Sequence, residues 1–124
     1  MSLLDWLLIG HLVGDFLIQT DNMARCKMQG WSWMLRHIGS YMAVVGLVLV
    51  FYALTRSAPV WLVVAALLSV CVIHVVLDRR RFSGWWMRFA GISPDHPWLA
   101  VVVDQVFHLL TLAIIVHVLV LAGG

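Results

Sequence analysis

The sequence divides into long apolar stretches separated by short polar ones. Each apolar stretch is close to the roughly 20 residues that an α-helix needs to cross the hydrocarbon core of a bilayer. The polar segments between them, at residues 20–32, 55–58 and 78–96, are too short for a soluble domain. The pattern therefore predicts an all-α membrane protein in which residues 1–124 form a single transmembrane bundle of about four helices. The predicted spans are residues 3–19, 33–54, 59–77 and 97–122.

Composition supports a membrane environment and excludes several classes of function. Of the 124 residues, 63% are hydrophobic and 11% are charged, which leaves too little polar surface for a soluble fold of this size. The net charge of +2 is too small and too scattered for a nucleic-acid surface. The sequence has no Gly-rich phosphate loop, dinucleotide motif, HExxH motif or Ser-His-Asp signature. We therefore expect the lipid bilayer to be the main partner, and no nucleic acid.

The distribution of basic residues predicts the orientation. If the helices alternate in direction, seven Lys or Arg residues fall at one end of the bundle and only Arg56 falls at the other. Basic residues favour the cytoplasmic side, so the two longer loops are predicted to be cytoplasmic and both termini to lie outside. We expect this multi-pass topology in a bacterial inner membrane. The seven residues are Arg25, Lys27, Arg36, Arg79, Arg80, Arg81 and Arg88.

One cytoplasmic segment, residues 79–89, mixes basic and aromatic side chains. This composition is typical of a segment that lies along the lipid headgroups. We interpret it as an interfacial anchor, with a clamp on an anionic headgroup as the alternative. Arg79 is the residue in it that we expect to orient a ligand or to contact a substrate.

Each predicted span carries two polar residues four positions apart. A four-residue spacing places both side chains on one face of a helix. In an up-down bundle all four pairs also fall in the cytoplasmic half of the membrane, an alignment that independent polar residues would not produce. The pairs are His11 and Asp15, His37 and Tyr41, His74 and Asp78, and Asp104 and His108.

These pairs form a candidate metal site. An ionised Asp near the membrane centre costs about 2.5 to 3.5 kcal/mol on insertion scales, so Asp15 and Asp104 need partners or a wet cavity. Imidazole and carboxylate together are ligands for Zn, Mn or Fe, and the set could bind one divalent ion or two. The predicted ligands are His11, Asp15, His74, Asp78, Asp104 and His108.

Further polar residues adjoin the predicted ligands. Gln19 lies one turn beyond Asp15, and Gln105 lies beside a predicted ligand in the last span, so each is expected to orient a ligand or a metal-bound water. His37 and Tyr41 either complete the ligand set or donate hydrogen bonds to a substrate oxyanion. The alternative to a metal site is a hydrogen-bonded network that only holds the helices together.

The polar residues also belong to longer motifs that are spread over nearly the whole chain. These are, in order, residues 11–21 (HLVGDFLIQTD), Lys27, His37, Tyr41, His74, Asp78, Arg79 and residues 104–108 (DQVFH). Together they resemble the DUF3307 family of small bacterial and phage membrane proteins. The resemblance implies a small membrane protein but no particular activity.

Three classes of function fit the pattern. The first is a metal-dependent hydrolase, in which the ion activates a water and Asp15 or Asp104 is the general base. Its substrate would be a lipid-linked molecule or a phosphoester at the cytoplasmic leaflet. Some membrane-bound metal-dependent hydrolases array His and Asp on short helices in a similar style. The second is a transport or channel element for a metal ion or protons; because the outer halves of the spans are apolar, it would need a homo-oligomer to build a pore. The third is a small structural subunit of a membrane complex.

Overall fold

The chain folds into a helical bundle in a computed structural model that describes residues 1–27, 29–80 and 82–123, without the side chain of Arg80. No strand occurs in these ranges, so the prediction of an all-α fold is confirmed. The elements are α1 (Leu3–Leu12), which continues into a π-helical turn (Val13–Leu17), α2 (Asp21–Cys26), α3 (Trp31–Arg56), α4 (Val60–Arg80), α5 (Phe82–Phe89) and α6 (Pro97–Gly123).

Three of the described helices are long and apolar enough to cross a membrane, which indicates a membrane protein. They are Trp31–Arg56, Val60–Arg79 and Pro97–Gly123. They contain the predicted spans 33–54 and 97–122, and all of the predicted span 59–77 except Pro59. The first predicted span differs. α1 and its π turn are 10 and 5 residues long and reach about 22 Å, short of a hydrocarbon core of about 30 Å.

The first helix ends early because local capping starts a new helix. Thr20 adopts an extended conformation, and its hydroxyl accepts a hydrogen bond from the backbone N–H of Met23, which caps α2. At the other end of the segment, Ser2 and Asp5 form a capping box that fixes the start of α1. The chain from Ile18 onward therefore turns away from the axis of α1.

The long elements run in alternating directions. Arg56, at the end of α3, donates a hydrogen bond of 2.9 Å to the carbonyl of Met1, so α1 begins where α3 ends. Trp61, near the start of α4, lies beside Gly123, at the end of α6. These two contacts bring both described chain ends to one end of the bundle. The side of the membrane on which that end lies stays a prediction.

The half of the bundle near these chain ends is an apolar core. α1 contacts α3 and α6, and α4 contacts the same two helices, so the four elements form a closed ring. The core side chains come from all four of them and are buried: Leu3, Leu7, Val45, Leu49, Ala66, Val70, Leu112, Ile115 and Leu119. The buried polar and charged side chains of the described residues lie in the other half.

A glycine allows the π turn to approach α3 closely. The turn is marked by a hydrogen bond of 3.1 Å from the N–H of Ile18 to the carbonyl of Val13, five residues earlier. A Cβ atom on Gly14 would lie only 2.7 Å from Cδ2 of Tyr41. Because Gly14 has only a hydrogen atom as its side chain, the polar end of the first helix packs directly on the Tyr41 ring.

α5 packs along the start of α6 through aromatic side chains. The rings of Phe82 and Trp86 meet the ring of Phe107 edge to face, with centroids 5.3 and 5.8 Å apart. α5 belongs to the predicted interfacial segment 79–89, of which Arg81 lies outside the described residues. The helix is thereby fixed beside the polar end of the bundle.

Candidate metal centre

The polar pairs of the four bundle elements meet at one end of the structure. Seven of their eight side chains are buried, none with more than 7% of its surface exposed. Three groups drawn from the pairs have ligand atoms close enough to hold a metal ion. The seven buried residues are His11, Asp15, His37, Tyr41, His74, Asp78 and His108.

Four potential ligand atoms lie together at the centre: Nε2 of His37, Nε2 of His74, Oδ1 of Asp15 and Oδ2 of Asp78. The two Nε2 atoms are 3.0 Å apart. Oδ2 of Asp78 is 3.0 and 3.4 Å from them, and Oδ1 of Asp15 is 3.7 and 3.6 Å from them. Tetrahedral ligands at 2.0–2.1 Å from an ion lie about 3.3 Å from one another. His37, His74 and Asp78 form one of the groups that could hold a metal ion, and Oδ1 of Asp15 lies at a comparable distance from the two nitrogens.

The hydrogen bonds at the centre are incomplete in a way that a cation would correct. Oδ1 of Asp15 and Oδ2 of Asp78 are buried and accept no hydrogen bond from the described residues. Leaving a buried acceptor unsatisfied costs about 1–3 kcal/mol, and more when it is charged. The Nε2 atoms of His37 and His74 are within hydrogen-bond distance of each other. If both ring protons are on Nδ1, where neither has a partner among the described residues, both Nε2 lone pairs face the space that a cation would fill.

His11 uses both of its ring nitrogens in hydrogen bonds. A carboxylate only accepts, so the Gln105 amide nitrogen donates to Oδ2 of Asp15 at 3.2 Å. The Gln105 oxygen then faces Nε2 of His11 at 2.8 Å, and that nitrogen carries the proton. Nδ1 of His11 accepts from the Tyr41 hydroxyl at 3.0 Å. His11 anchors Gln105, whose amide holds Oδ2 of Asp15. His11, Asp15 and His74 also form one of the groups that could hold a metal ion, so His11 as a ligand stays a prediction.

Tyr41 also supports the centre through its ring. The ring stacks on the imidazole of His74, with centroids 3.8 Å apart and planes 25° from parallel. Its hydroxyl hydrogen-bonds to Nδ1 of His11. Tyr41 thus holds two histidines in place.

His108 is fixed in one tautomer. Its Nδ1 donates a hydrogen bond of 2.9 Å to the backbone carbonyl of Asp104, so Nε2 has a free lone pair. Nε2 is buried, has no hydrogen-bond partner among the described residues and lies 3.7 Å from Oδ1 of Asp78. The carboxylate of Asp104 lies 3.6 Å from Nδ1 of His108 and is 25% exposed.

Lys27 is a residue of the site that the span pattern does not identify. Its Nζ atom lies 2.8 Å from Oδ1 of Asp78, and its side chain is 19% exposed. Lys27 follows α2 in a polar loop, where a basic residue ordinarily indicates only the cytoplasmic side. Its place in the motifs quoted above is the one signal for it in the sequence. Asp78 therefore has one oxygen toward the centre and the other toward Lys27.

A cleft of about 400 Å³ leads from the surface to the cluster. Asp15, Asp78, Asp104 and Gln105 contribute its polar floor, joined by Gln19, whose Oε1 is buried without a partner among the described residues. The walls include apolar side chains, and Ser83 and Gly84 bring α5 to the edge of the cleft. The cluster is thus accessible from one direction.

Arg79 lies apart from the cluster. Its guanidinium group stacks on the ring of Trp31, 4.2 Å from the ring centroid, and it does not line the cleft. This contact suits an interfacial anchor. The structure therefore brings together every other predicted site residue but not Arg79.

Comparisons with known proteins give a family and no activity. No curated protein and no solved structure matches the chain. A family model described as "Protein of unknown function (DUF3307)" matches residues 3–123, nearly the whole chain. The chain belongs to the DUF3307 family.

Proposed function

We propose that the protein binds one divalent ion, Zn, Mn or Fe, through His37, His74, Asp15 and Asp78, and that it is a metal-dependent hydrolase. The observation that carries the proposal is the pair of buried carboxylate oxygens, Asp15 Oδ1 and Asp78 Oδ2, that face two imidazole Nε2 atoms and accept no hydrogen bond from the described residues. A divalent cation neutralises both acids and uses neutral histidines, as metal sites do.

This ligand set includes His37, for which the sequence predicts a supporting role. It leaves out His11, because both of its nitrogens are engaged. It also leaves out His108, whose free nitrogen faces the other oxygen of Asp78. Gln105 and His11 are instead positioning residues for Asp15, in the way that ligands of bound metals are usually oriented.

Asp104 is the residue that we propose as general base. A bound ion that expands to five-coordination would lower the pKa of a water in the cleft and polarise a phosphoryl oxygen. Asp104 lines the cleft and is more exposed than the other acids of the cluster, so it can take the proton of that water. The water oxygen then bonds to phosphorus, the bond from phosphorus to the ester oxygen breaks, and the leaving oxygen takes a proton from water in the cleft.

The proposed substrate is a lipid-linked phosphoester at the cytoplasmic leaflet. The walls of the cleft include Phe16, Leu77 and Val101, and Phe16 and Val101 are about half exposed on the outside of the bundle. An amphiphile can place its phosphate on the polar floor and its chain along these side chains. The site lies next to the end of the bundle that carries most of the basic residues, which we propose is cytoplasmic in a bacterial inner membrane.

We further propose that α1 and its π turn are a short fourth span. The segment packs within the ring of helices, and its outward side chains, such as Ile9, Leu12 and Leu17, are apolar and exposed. A short span of this kind is accommodated by local thinning of the bilayer. Both termini then lie outside, as the distribution of basic residues predicts.

Transport through a single chain is less well supported. The half of the bundle beyond the cluster is closed by side chains with no exposed surface, including Leu7, Val45 and Leu49. A transported ion needs polar groups along its path. The described residues provide such groups on one side of the cluster only. The observed cleft fits a substrate that enters and leaves from the same side.

The test measures metal per chain by mass spectrometry, on protein purified in mild detergent without chelator. We expect about one ion per chain for the natural sequence and its loss in His37→Ala and Asp15→Asn. The matched controls are His117→Ala, which changes an exposed histidine on α6, and Asp95→Asn, which changes an exposed acid. Both controls should keep the ion, and circular dichroism checks that each variant is folded.

Turnover is measured separately, as phosphate released from a lipid phosphoester in mixed micelles. Asp104→Asn should keep the ion and lose about 10²–10⁴-fold in rate, the contribution of a general base. Folded protein without metal would overturn the proposed centre. A metal-loaded protein that hydrolyses no lipid phosphoester would leave the centre in place and reject the hydrolase.

A further inference from the structure

A second group of ligand atoms lies on the cleft side of the proposed ion. It consists of Oδ1 of Asp78, Nε2 of His108 and the carboxylate of Asp104. Asp78 belongs to both groups, since its Oδ2 atom faces His37 and His74. A carboxylate shared in this way is how two metal ions are commonly bridged.

The second group needs a positive charge. Nε2 of His108 carries a lone pair, because the ring proton is on Nδ1, and it lies 3.7 Å from Oδ1 of Asp78, which also only accepts. Two buried acceptors facing each other are stabilised only by a cation or a donor between or beside them. The Nζ atom of Lys27 lies 2.8 Å from Oδ1 of Asp78 and supplies that charge.

Lys27 also faces the substrate cleft. Its side chain lines the cleft, and about four-fifths of it is buried. An ammonium group has three donors, of which one is used on Asp78, so two remain for a ligand in the cleft. An anionic oxygen is the ligand that such donors bind best.

We propose that Lys27 occupies a second cation position of the centre, where its ammonium group replaces a second metal ion and binds an oxygen of the substrate phosphate. This inference rests on the proposed function, because it takes the ion between His37 and His74 as the first cation. The centre then contains one divalent ion and one lysine that share the carboxylate of Asp78.

The first test is metal per chain in variants of Lys27. Lys27→Met keeps the length of the side chain and removes its charge, so a second ion should enter and raise the content from about one to about two per chain. Lys27→Arg keeps the charge and should stay at about one. The double variant Lys27→Met with His108→Ala should return to about one, because the second ion loses its nitrogen ligand.

The outcomes separate this inference from the proposed function. No metal in the folded natural protein rejects the proposed function. One ion per chain in both the natural protein and folded Lys27→Met, or two in the natural protein, rejects the second cation position and leaves the first ion in place. The Lys27→Arg variant keeps the charge, so a loss of metal in both Lys27 variants would come from the fold rather than from the charge.

The second test is the binding of inorganic phosphate, measured by calorimetry with one equivalent of metal added per chain. Lys27→Met should weaken phosphate binding by about tenfold or more, because a charge-assisted hydrogen bond is lost, whereas Lys27→Arg should retain most of it. Equal phosphate affinity in the natural protein and Lys27→Met would overturn the role of Lys27 in substrate binding.

Discussion

Replacing Gly14 by Ala tests how closely the π turn must pack on α3. An added Cβ atom would lie 2.7 Å from Cδ2 and 3.3 Å from Cε2 of Tyr41, whereas carbon atoms in contact prefer about 3.5–4.0 Å. The Tyr41 ring has little freedom to move, because it stacks on His74 and hydrogen-bonds to His11. The turn or the ring must therefore shift, and either movement disturbs the metal centre.

The magnitude follows from two opposing effects. Overpacking of this kind costs about 1–3 kcal/mol, whereas replacing a helical glycine by alanine gains about 0.5–1 kcal/mol. The net effect of Gly14→Ala is a loss of about 0–2.5 kcal/mol in the free energy of unfolding. Gly10→Ala is the matched control, since its Cβ atom would meet its nearest neighbours at an ordinary 3.5 Å. Gly10→Ala should therefore be more stable than the natural protein by the roughly 0.5–1 kcal/mol that alanine contributes in a helix relative to glycine.

Thermal unfolding in detergent, followed by circular dichroism, measures the difference. At about 4 °C per kcal/mol, Gly14→Ala should lower the Tm by up to about 10 °C, and Gly10→Ala should raise it by about 2–4 °C. Metal affinity should fall about 10–100-fold in Gly14→Ala alone, because Tyr41 supports two histidines of the centre. If Gly14→Ala is as stable as Gly10→Ala and binds metal equally well, the close contact with Tyr41 is wrong.

Three further predictions concern the centre and the fold. Gln105→Leu removes the donor to Asp15 and should lower metal affinity about 10–100-fold in competition with a chelator; unchanged affinity would show that Gln105 does not orient the ligand. Ser57 ends α3 in the left-handed region, with φ of 51°, which glycine adopts more easily. Ser57→Gly should therefore stabilise the fold by about 0.5–1 kcal/mol in thermal unfolding and leave the metal content unchanged. A lower Tm would contradict this. Protein with free metal at 100 times its Kd should be about 2.7 kcal/mol more stable than protein from which a chelator has removed the ion. An unchanged Tm would argue against an ion at the centre.

The long spans could be predicted from the sequence, and the first one only in part. Apolar runs of sufficient length determined α3, α4 and α6, because such runs satisfy their backbone hydrogen bonds within the helix. The first span was predicted to reach residue 19, but its helix ends at Leu17, where the π turn closes and Thr20 caps the next helix. Hydrophobicity does not report a π turn, whose position depends on the packing of Gly14 against α3.

The members of the polar cluster could be predicted, but their roles could not. A four-residue spacing gives the face of a helix, and all four pairs meet in the structure. Spacing does not determine which ring nitrogen points inward. His11 and His37 illustrate this, since hydrogen bonds to Gln105 and Tyr41 engage the first and leave Nε2 of the second beside two carboxylates.

Lys27 shows the limit of reasoning from helical spacing. It lies in a loop and reaches Asp78 across 51 positions of sequence. No periodicity links the two residues, and the contact arises because α2 folds back beside α3. Only the assembled structure brings its ammonium group to the cleft.

X-ray absorption spectroscopy at the metal edge, on metal-loaded protein in detergent, tests the central claim most directly. With zinc bound, we expect about four nitrogen or oxygen ligands at about 2.0–2.1 Å, with outer-shell scattering from two imidazole rings. His37→Ala should remove one imidazole contribution, and His117→Ala should change nothing. A spectrum with sulfur at about 2.3 Å, or one with no imidazole scattering, would contradict a centre built from His37, His74, Asp15 and Asp78.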